Sequence, residues 1–500
     1  MFEYGIMPPA MFLGMIIFML YGFPVAFSLS AVGLFFGLLG IATGHFEFAF
    51  LQALPLRIFG IVSNDLLLAI PFFTFMGAVL ERCGLAEDLL EGTGKLFGAI
   101  PGGLAYAVIL VGAILGAITG TVAASVITMG VISLPIMLKY GYNPRLATGV
   151  IAASGTITQV IPPSLVLIVL ADQLGRSVGD MYLGAIGPSI LQVGIFLLFI
   201  LGLSIFRPKD VPPLPLEARG ELNMALVMKV LWGMIPSIVL IFLVLGTIFM
   251  GLATPTEAGA LGVVGAMVLA AMHGRLTWDL IKQGMHSTMT ITSMVVFILV
   301  GATCFSLVFQ GMDGGLWIEY LLSHVPGGAI GFLIFVNIFI FFLAFFLDFF
   351  EIAFIVLPML APVANALGID LIWFGVLLCV NMQTSFMHPP FGFALFYLRS
   401  IAPKSVKTKD IYLGAIPWLF MQLILVAIII FWPESVTYWL DKAPDVDLNT
   451  IKIEVPGFGS GNGGGMPNFG LPPMDGAPAQ PGGAPAPAMP NFGEPPKINP

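Results

Sequence analysis

Two stretches decide how this chain reads: AASGTITQVIPPS (Ala152 to Ser164) and NMQTSFMHPPFG (Asn381 to Gly392). Each places small, hydroxyl or amide side chains just before two consecutive prolines, Pro162 and Pro163 in the first and Pro389 and Pro390 in the second, within an apolar run. Paired prolines remove two backbone donors and push the preceding residue out of helical geometry, so carbonyls near Gln159 lose their partners. Those oxygens, with the hydroxyls of Ser154, Thr156 and Thr158 around Gly155, suit Na+ without any carboxylate. The second stretch offers Asn381, Gln383, Thr384, Ser385 and His388. A single proline kink is often only a kink. Its recurrence at equivalent places marks a site.

The equivalence comes from an internal repeat. GLAEDLL followed by AIPGG is echoed by GLWIEYLL followed by HVPGG, LPIM by LPML, IPPS by HPPF, and MYLGAIGP by IYLGAIPW. The pairs Pro101/Pro326, Pro135/Pro358, Pro162/Pro389 and Tyr182/Tyr412 are separated by 225, 223, 227 and 230 residues. Four landmarks in one order at nearly constant spacing indicate duplication. Lys139 and Arg145 follow the first hairpin, whereas only Asp370 follows the second; beyond the double prolines, Asp172, Arg176 and Asp180 stand against Arg399, Lys404, Lys407 and Lys409. By the positive-inside rule, equivalent loops lie on opposite sides of the membrane. That makes an inverted repeat, the architecture of secondary transporters with a midplane site. Inversion requires an odd number of crossings between the two cores, while hydropathy suggests two spans between Lys229 and His273, which leaves the span count open.

Bulk composition agrees. Of 500 residues, 58% are hydrophobic and only 9% charged, against about 25% charged in soluble domains, which excludes a soluble enzyme. At roughly 20 apolar residues per span, the chain supplies about a dozen crossings as an all-α polytopic membrane protein. Residues 1–206 form the first membrane repeat, with a hairpin at about 116–138 and a broken helix at about 146–171. A polar connection fills 207–229. Residues 230–440 form the second repeat, with a hairpin at about 346–368 and a broken helix at about 372–398. The Gly/Pro-rich stretch 456–500 reads as disordered. Cys83, Cys304 and Cys379 lack CxxC spacing, the five histidines share no metal spacing, no GxxxxGK[ST] occurs, and nothing points to nucleic acid. Only Glu3 precedes the first apolar run, without Lys or Arg, so the first helix is expected to remain in the mature protein.

The hairpins carry further candidates. GAITGTVAASVITMG (Gly116 to Gly130) gathers small residues and hydroxyls, among them Thr119, Gly120, Thr121 and Ser125. Taken alone it reads as close helix packing. Beside the matching break it reads as irregular backbone lining a cavity. In FFLDFFEIAFIVLPMLAP, Asp348 and Glu351 stand three residues apart, on one helical face. They either face a pathway through the membrane or are interfacial charges.

These residues resemble the large, DctM-like membrane subunit of TRAP (tripartite ATP-independent periplasmic) transporters from about Phe12 to Trp432. Ala117 to Gly130 follows the pattern A-I-S-G-S-x-x-A-D-x-x-x-x-G with Thr119, Gly120 and Thr121 for S-G-S, and Gly155, Thr156 and Ile161 to Ser164 follow G-T-x-x-x-x-I-P-P-S. Phe346 to Asp348 match F-L-D, Pro358 matches the proline that follows, and Asn381, Pro389, Pro390 and Gly392 match N-x-x-x-x-x-x-x-P-P-x-G. FLDFFEIAFIVLP and QTSFMHPPFGFALFYLR are most similar to the mannitol/chloroaromatic-type branch. Ser125 replaces the usual Asp, and His388 the usual Thr. The resemblance implies an elevator-type, Na+-coupled importer of organic acids in the bacterial inner membrane, with Na+ as coupling ion and no other cofactor. It also implies a small four-helix membrane subunit, a periplasmic substrate-binding protein, and paired Na+ sites at the hairpin and broken-helix junctions. Gly120, Ser154 and Thr156 are expected at one, and Asn381, Thr384 and Ser385 at the other.

Overall fold

The structure, a computed structural model, describes residues 5–219, 224–345, 347–390 and 392–440. The stretch 456–500, read above as disordered, lies outside them, as do Phe346, Phe391 and the Thr119 side chain. The described residues are all-helical. Among the described residues, eight helices are long and apolar enough to cross a membrane, or nine if the bent pair Phe48–Val62 and Asp65–Arg82 counts as one span. The chain is therefore a multi-pass membrane protein. Shorter apolar helices, including Gly103–Ile118, Leu165–Leu174, Gly328–Leu343 and Leu371–Ser385, belong to the hairpins and broken helices.

Four helices open the fold: α1 (Met7–Leu20), α2 (Val25–Thr43), α3 (Phe48–Gln52) and α4 (Leu54–Val62). The first repeat then runs through a long helix α5 (Asp65–Arg82), a short α6 (Leu85–Leu96), hairpin arms α7 (Gly103–Thr119) and α8 (Val122–Lys139), a broken helix α9 (Pro144–Thr156) and α10 (Leu165–Leu174), and a closing helix α11 (Val178–Phe206). After α12 (Met224–Phe249) and α13 (Pro255–Met272) the same order returns. It comprises α14 (Trp278–Gly311), α15 (Gly314–Ser323), arms α16 (Gly328–Leu343) and α17 (Phe349–Glu351) continued through a π turn into α18 (Leu357–Ala366), broken helix α19 (Leu371–Ser385) and α20 (Phe393–Ile401), and α21 (Thr408–Phe431). A short α22 (Glu434–Thr437) follows. Each hairpin thus has a first arm, α7 or α16, that precedes most of the residues by which the sequence announced it.

Contacts at equivalent glycines show the inversion. A Cβ on Gly414, near the start of α21, would strike the Arg145 carbonyl at the start of α9. A Cβ on its counterpart Gly184, in α11, would lie 3.0 Å from Ile372 at the start of α19 and 3.0 Å from Val436 beyond the end of α21. So α9 begins where α21 begins, whereas α19 begins where α21 ends, and the broken helices enter from opposite faces. Arg145 Nε donates to Asp410 Oδ1 at 3.0 Å on the first face, and Asn143 Nδ2 to Asp210 Oδ1 at 3.1 Å. The count of crossings agrees: α5, the first broken helix, α11, α12 and α13 cross between the starts of α5 and α14, an odd number, because the first hairpin returns to its own side. Two spans between Lys229 and His273 are what inversion needs.

Lys139, Arg145, Arg207, Lys209, Lys404, Lys407 and Lys409 share the face on which α9 and α21 begin, opposite Asp172, Asp180 and Asp370. By the positive-inside rule this basic face is the one expected on the inner side of the membrane. Small residues set the packing. Gly33 of α2 meets Phe305 backbone in α14, Gly301 of α14 meets Ala26, and Gly259 and Gly262 of α13 meet Phe72, Phe73 and Met76 of α5. These helices make one packed layer. The hairpins, broken helices, α11 and α21 make another around the double-proline breaks.

Candidate functional site

Both hairpin tips reach a break. Gly120 ends α7 at φ +62, a conformation that favours glycine, and faces Leu165, the first residue of α10. Along α9 and the turn that follows it, Gly112 of α7 packs on Ser154, Gly116 on Thr158, and Gly155 against Val126 of α8. In the second repeat Asn381 Nδ2 donates to the Asn337 carbonyl of α16 at 2.9 Å. Asn337 and Asn381 are the counterparts of Gly112 and Ser154 at offsets of 225 and 227. The same arm meets the same half-helix at the same level in both repeats.

The breaks themselves are alike. Pro162 and Pro163 leave the Thr158 and Gln159 carbonyls without their i+4 donors, and Pro389 and Pro390 do the same to Ser385 and Phe386. Gln159 O recovers Ser164 Oγ at 2.6 Å and Cys379 Sγ at 3.3 Å; Phe386 O recovers Ala394 N at 3.0 Å. Among the described residues no donor meets the Thr158 or Ser385 carbonyl. Both Pro–Pro bonds are cis. The breaks are also neighbours: Cys379 of α19 reaches the first, and Met387 of the second has its sulfur 3.6 Å from Thr156 Oγ1.

The expected site residues divide among several partners. Ser154 Oγ donates to Val150 O at 2.7 Å and faces α7. Thr156 Oγ1 donates to Ala153 O at 2.9 Å and accepts from Gln422 Nε2 of α21 at 3.0 Å, so it faces away from the hairpin that Ser154 touches. Thr384 Oγ1 donates to Asn381 O at 2.6 Å and Ser385 Oγ to Met382 O at 2.5 Å. Thr121 precedes α8 in extended conformation. Ser125 is fully buried with its Oγ unpartnered. His388 is 2% exposed, with neither ring nitrogen bonded, edge-on to Phe345 and Phe341 of the second tip at centroid distances of 3.9 and 5.5 Å.

The pair Asp348 and Glu351 stands together at the very start of a helix rather than along its length. Asp348 is the N-cap of α17: its Oδ1 accepts from Glu351 N at 3.1 Å while Glu351 Oε2 accepts from Asp348 N at 2.9 Å. This capping box satisfies donors that a helix start leaves open, here at a buried hairpin tip, with Glu351 only 6% exposed.

Two glutamines were missed in the sequence. Gln192 Nε2 of α11 donates to Gln383 Oε1 at 2.5 Å, and Gln422 of α21 donates to Thr156. Thr156 and Gln383 are counterparts at an offset of 227, as Gln192 and Gln422 are at 230, so each closing helix reaches across to the broken helix of the other repeat at the same place. The available signal was a lone amide ten residues past YLGAI's tyrosine in each apolar closing helix. Around the breaks, Gln159 Oε1, Gln192 Oε1, Asn337 Oδ1 and Gln422 Oε1 are buried acceptors without donors. Turning the Gln192–Gln383 amides over exchanges which residue carries the open oxygen and which the open NH2, leaving one of each. Buried oxygens without donors are costly and call for a partner, either a hydrogen-bond donor or a cation.

The profile of the tripartite ATP-independent periplasmic transporter DctM component matches residues 12–435. The C4-dicarboxylate TRAP transporter large permease protein DctM of Pseudomonas aeruginosa is 29% identical over 385 residues, covering 76% of this chain and 88% of that protein. The sialic acid TRAP transporter large permease protein SiaM of Vibrio cholerae is 27% identical, covering 83% and 93%. Among solved structures, the Alcanivorax borkumensis YdaH transporter aligns with a TM-score of 0.56 at 15% identity over 77% of this chain and 88% of its own, a likeness of fold. The DctM and SiaM relatives are named as transporter permease proteins, not enzymes. The chain belongs to the DctM-component family of tripartite ATP-independent periplasmic transporters.

Proposed function

We propose that this chain imports an organic acid across the bacterial inner membrane by Na+-coupled secondary transport. The observation that carries the reading is the set of buried oxygens without donors at two equivalent breaks, where Na+ supplies the missing charge. One ion is held at the first break near Gly120 and Ser154, where the Thr158 carbonyl is open, with Thr156 bordering the break from the α21 side of α9; the other is held near Asn381, Thr384 and Ser385, whose own carbonyl is open. Hairpin tips and half-helix N-termini then present positive dipole ends to a substrate carboxylate. Bound Na+ offsets the charge of the anion. The hairpins, broken helices, α11 and α21 move as one block against the layer of α2, α5, α13 and α14, the elevator scheme.

A periplasmic binding protein delivers the substrate, and a small four-helix subunit flanks the fixed layer. Supporting this, the isethionate permease DctMQ of Oleidesulfovibrio alaskensis is 25% identical and only 65% of it is covered, so that relative carries further chain beyond the shared part. The mannitol/chloroaromatic-type runs at the second tip and second break bring aromatic side chains to the path. The test is uptake of a panel of labelled organic acids into proteoliposomes holding this chain and the small subunit. Uptake should require both an inward Na+ gradient and the binding protein. Uptake without either would favour a standalone exchanger.

A further inference from the structure

On the face opposite the basic loops, a cavity of about 210 Å³ opens between the two layers. Its fixed wall holds Arg57 of α4, Asn64 at the start of α5, and Thr303 and Ser306 of α14; Asp172 and Gln173, at the end of α10, come from the block proposed to move. Ile61, Leu67, Leu299 and Phe354 give it an apolar floor. This cavity is separate from the double-proline breaks, and none of the residues singled out in the sequence as ion or substrate ligands lines it.

Its charges are arranged unequally. Asp172 is occupied: Oδ1 accepts from Asn64 Nδ2 at 2.8 Å and Oδ2 from Gln173 Nε2 at 2.9 Å. Among the described residues no carboxylate lies within salt-bridge distance of Arg57; the ion pairs among them are Lys95–Glu91 and Arg145–Asp410. An open guanidinium carries five donors in a fork that fits a carboxylate two bonds at a time. Beside it the two hydroxyls offer further donors, and the apolar floor suits a short carbon skeleton.

We infer that this cavity is a carboxylate-binding site on the outward face, with Arg57 as its anchor, taking a small organic acid before it reaches the breaks. The inference rests on the reading of the chain as an organic-acid carrier. Because one wall is fixed and the other belongs to the moving block, an occupied site holds the block where Asn64 meets Asp172, and movement of the block opens the site.

The test uses the purified full chain in detergent. Thermal unfolding is followed while acetate, lactate, succinate or benzoate is titrated against chloride and sulfate, at constant Na+ and ionic strength. At least one carboxylate should stabilise the protein saturably, with apparent affinity falling tenfold or more in Arg57→Gln and only partly in Arg57→Lys. Arg57 is exposed on a short helix, so these variants keep the fold. Equal affinity in Arg57→Gln, no carboxylate binding in the parent protein, or sulfate binding as well as the carboxylates would each overturn the inference. Stabilisation by Na+ alone, read in a separate Na+ titration of the same preparations without carboxylate and with choline chloride holding ionic strength, tests the transport reading separately. Loss of carboxylate binding with Na+ stabilisation intact assigns the effect to Arg57, and absence of Na+ stabilisation with Arg57-dependent binding intact counts against Na+ coupling alone.

Discussion

Replacing Gln192 with Leu tests whether the crossed glutamines hold the closing helices to the broken ones. Gln192 and Gln383 are 1% and 0% exposed and meet at 2.5 Å, and Gln383 Nε2 has no other partner, so Gln192→Leu leaves a whole buried carboxamide unpaired. An orphaned buried polar group costs about 1–3 kcal/mol, whereas replacing both partners by apolar groups of similar size is nearly neutral. Coupling energies between polar groups inside membrane proteins average about 0.6 kcal/mol and reach about 1.7. A pair with this geometry and burial belongs in the upper part of that range. The double mutant Gln192→Leu/Gln383→Leu should therefore be more stable than the summed single costs by about 1 kcal/mol. The assay is an unfolding titration in mixed micelles on the parent, both single variants and the double variant. Costs that simply add would refute the contact as an energetic unit. The second cycle, Gln422→Leu with Thr156→Val, should show a smaller coupling, because Thr156 keeps its bond to the Ala153 carbonyl.

Three other outcomes follow from the geometry. Gly155→Leu drives a side chain into Val126 and should cost about 1–3 kcal/mol as overpacking while abolishing uptake, since the hairpin can no longer close on the break; uptake at parental rate would show that the tip does not need that contact. Asp348→Ala removes the cap of α17 and should lower stability by about 0.5–2 kcal/mol, with Asp348→Asn recovering most of it, as read by thermal unfolding. Burial pushes the Tyr142 phenol up to about 12 from its ordinary 10, in the loop before α9. The folded state thus favours the protonated phenol, and this contribution is complete below pH 10 and lost as pH rises through about 12. Tyr142→Phe should flatten the alkaline arm of the stability profile in that window, and an unchanged slope would assign the alkaline loss elsewhere.

The breaks were legible in the sequence because a double proline has one physical consequence wherever it stands, and the repeat was legible because four landmarks kept their spacing. The first arms α7 and α16 were not recognised as parts of hairpins. An apolar helix that dips into the membrane and returns has the same composition as one that crosses, and only the glycine or aromatic tip betrays it. The Asp348–Glu351 pair was not read as a cap because its spacing fits a helical face as well as a cap, and the choice depends on where the helix starts. Gln192 and Gln422 escaped notice because a lone amide in an apolar helix carries no pattern until its partner, about 190 or 270 residues away, is brought beside it. Directions of packing, such as Thr156 turning to α21 while Ser154 turns to α7, depend on neighbours that no local pattern names.

The central claim is that the two double-proline breaks bind Na+, and the most direct measurement needs no substrate. Thermal unfolding of the purified chain in detergent is followed over a Na+ titration, with choline chloride holding ionic strength constant. A ligand at 100 times its dissociation constant stabilises the folded state by about 2.7 kcal/mol. The account expects a saturating shift specific to Na+, weakened in Thr156→Ala and in Ser385→Ala and unchanged in Arg57→Gln. Equal curves in Na+ and choline, or full Na+ stabilisation in a variant lacking both hydroxyls, would contradict it.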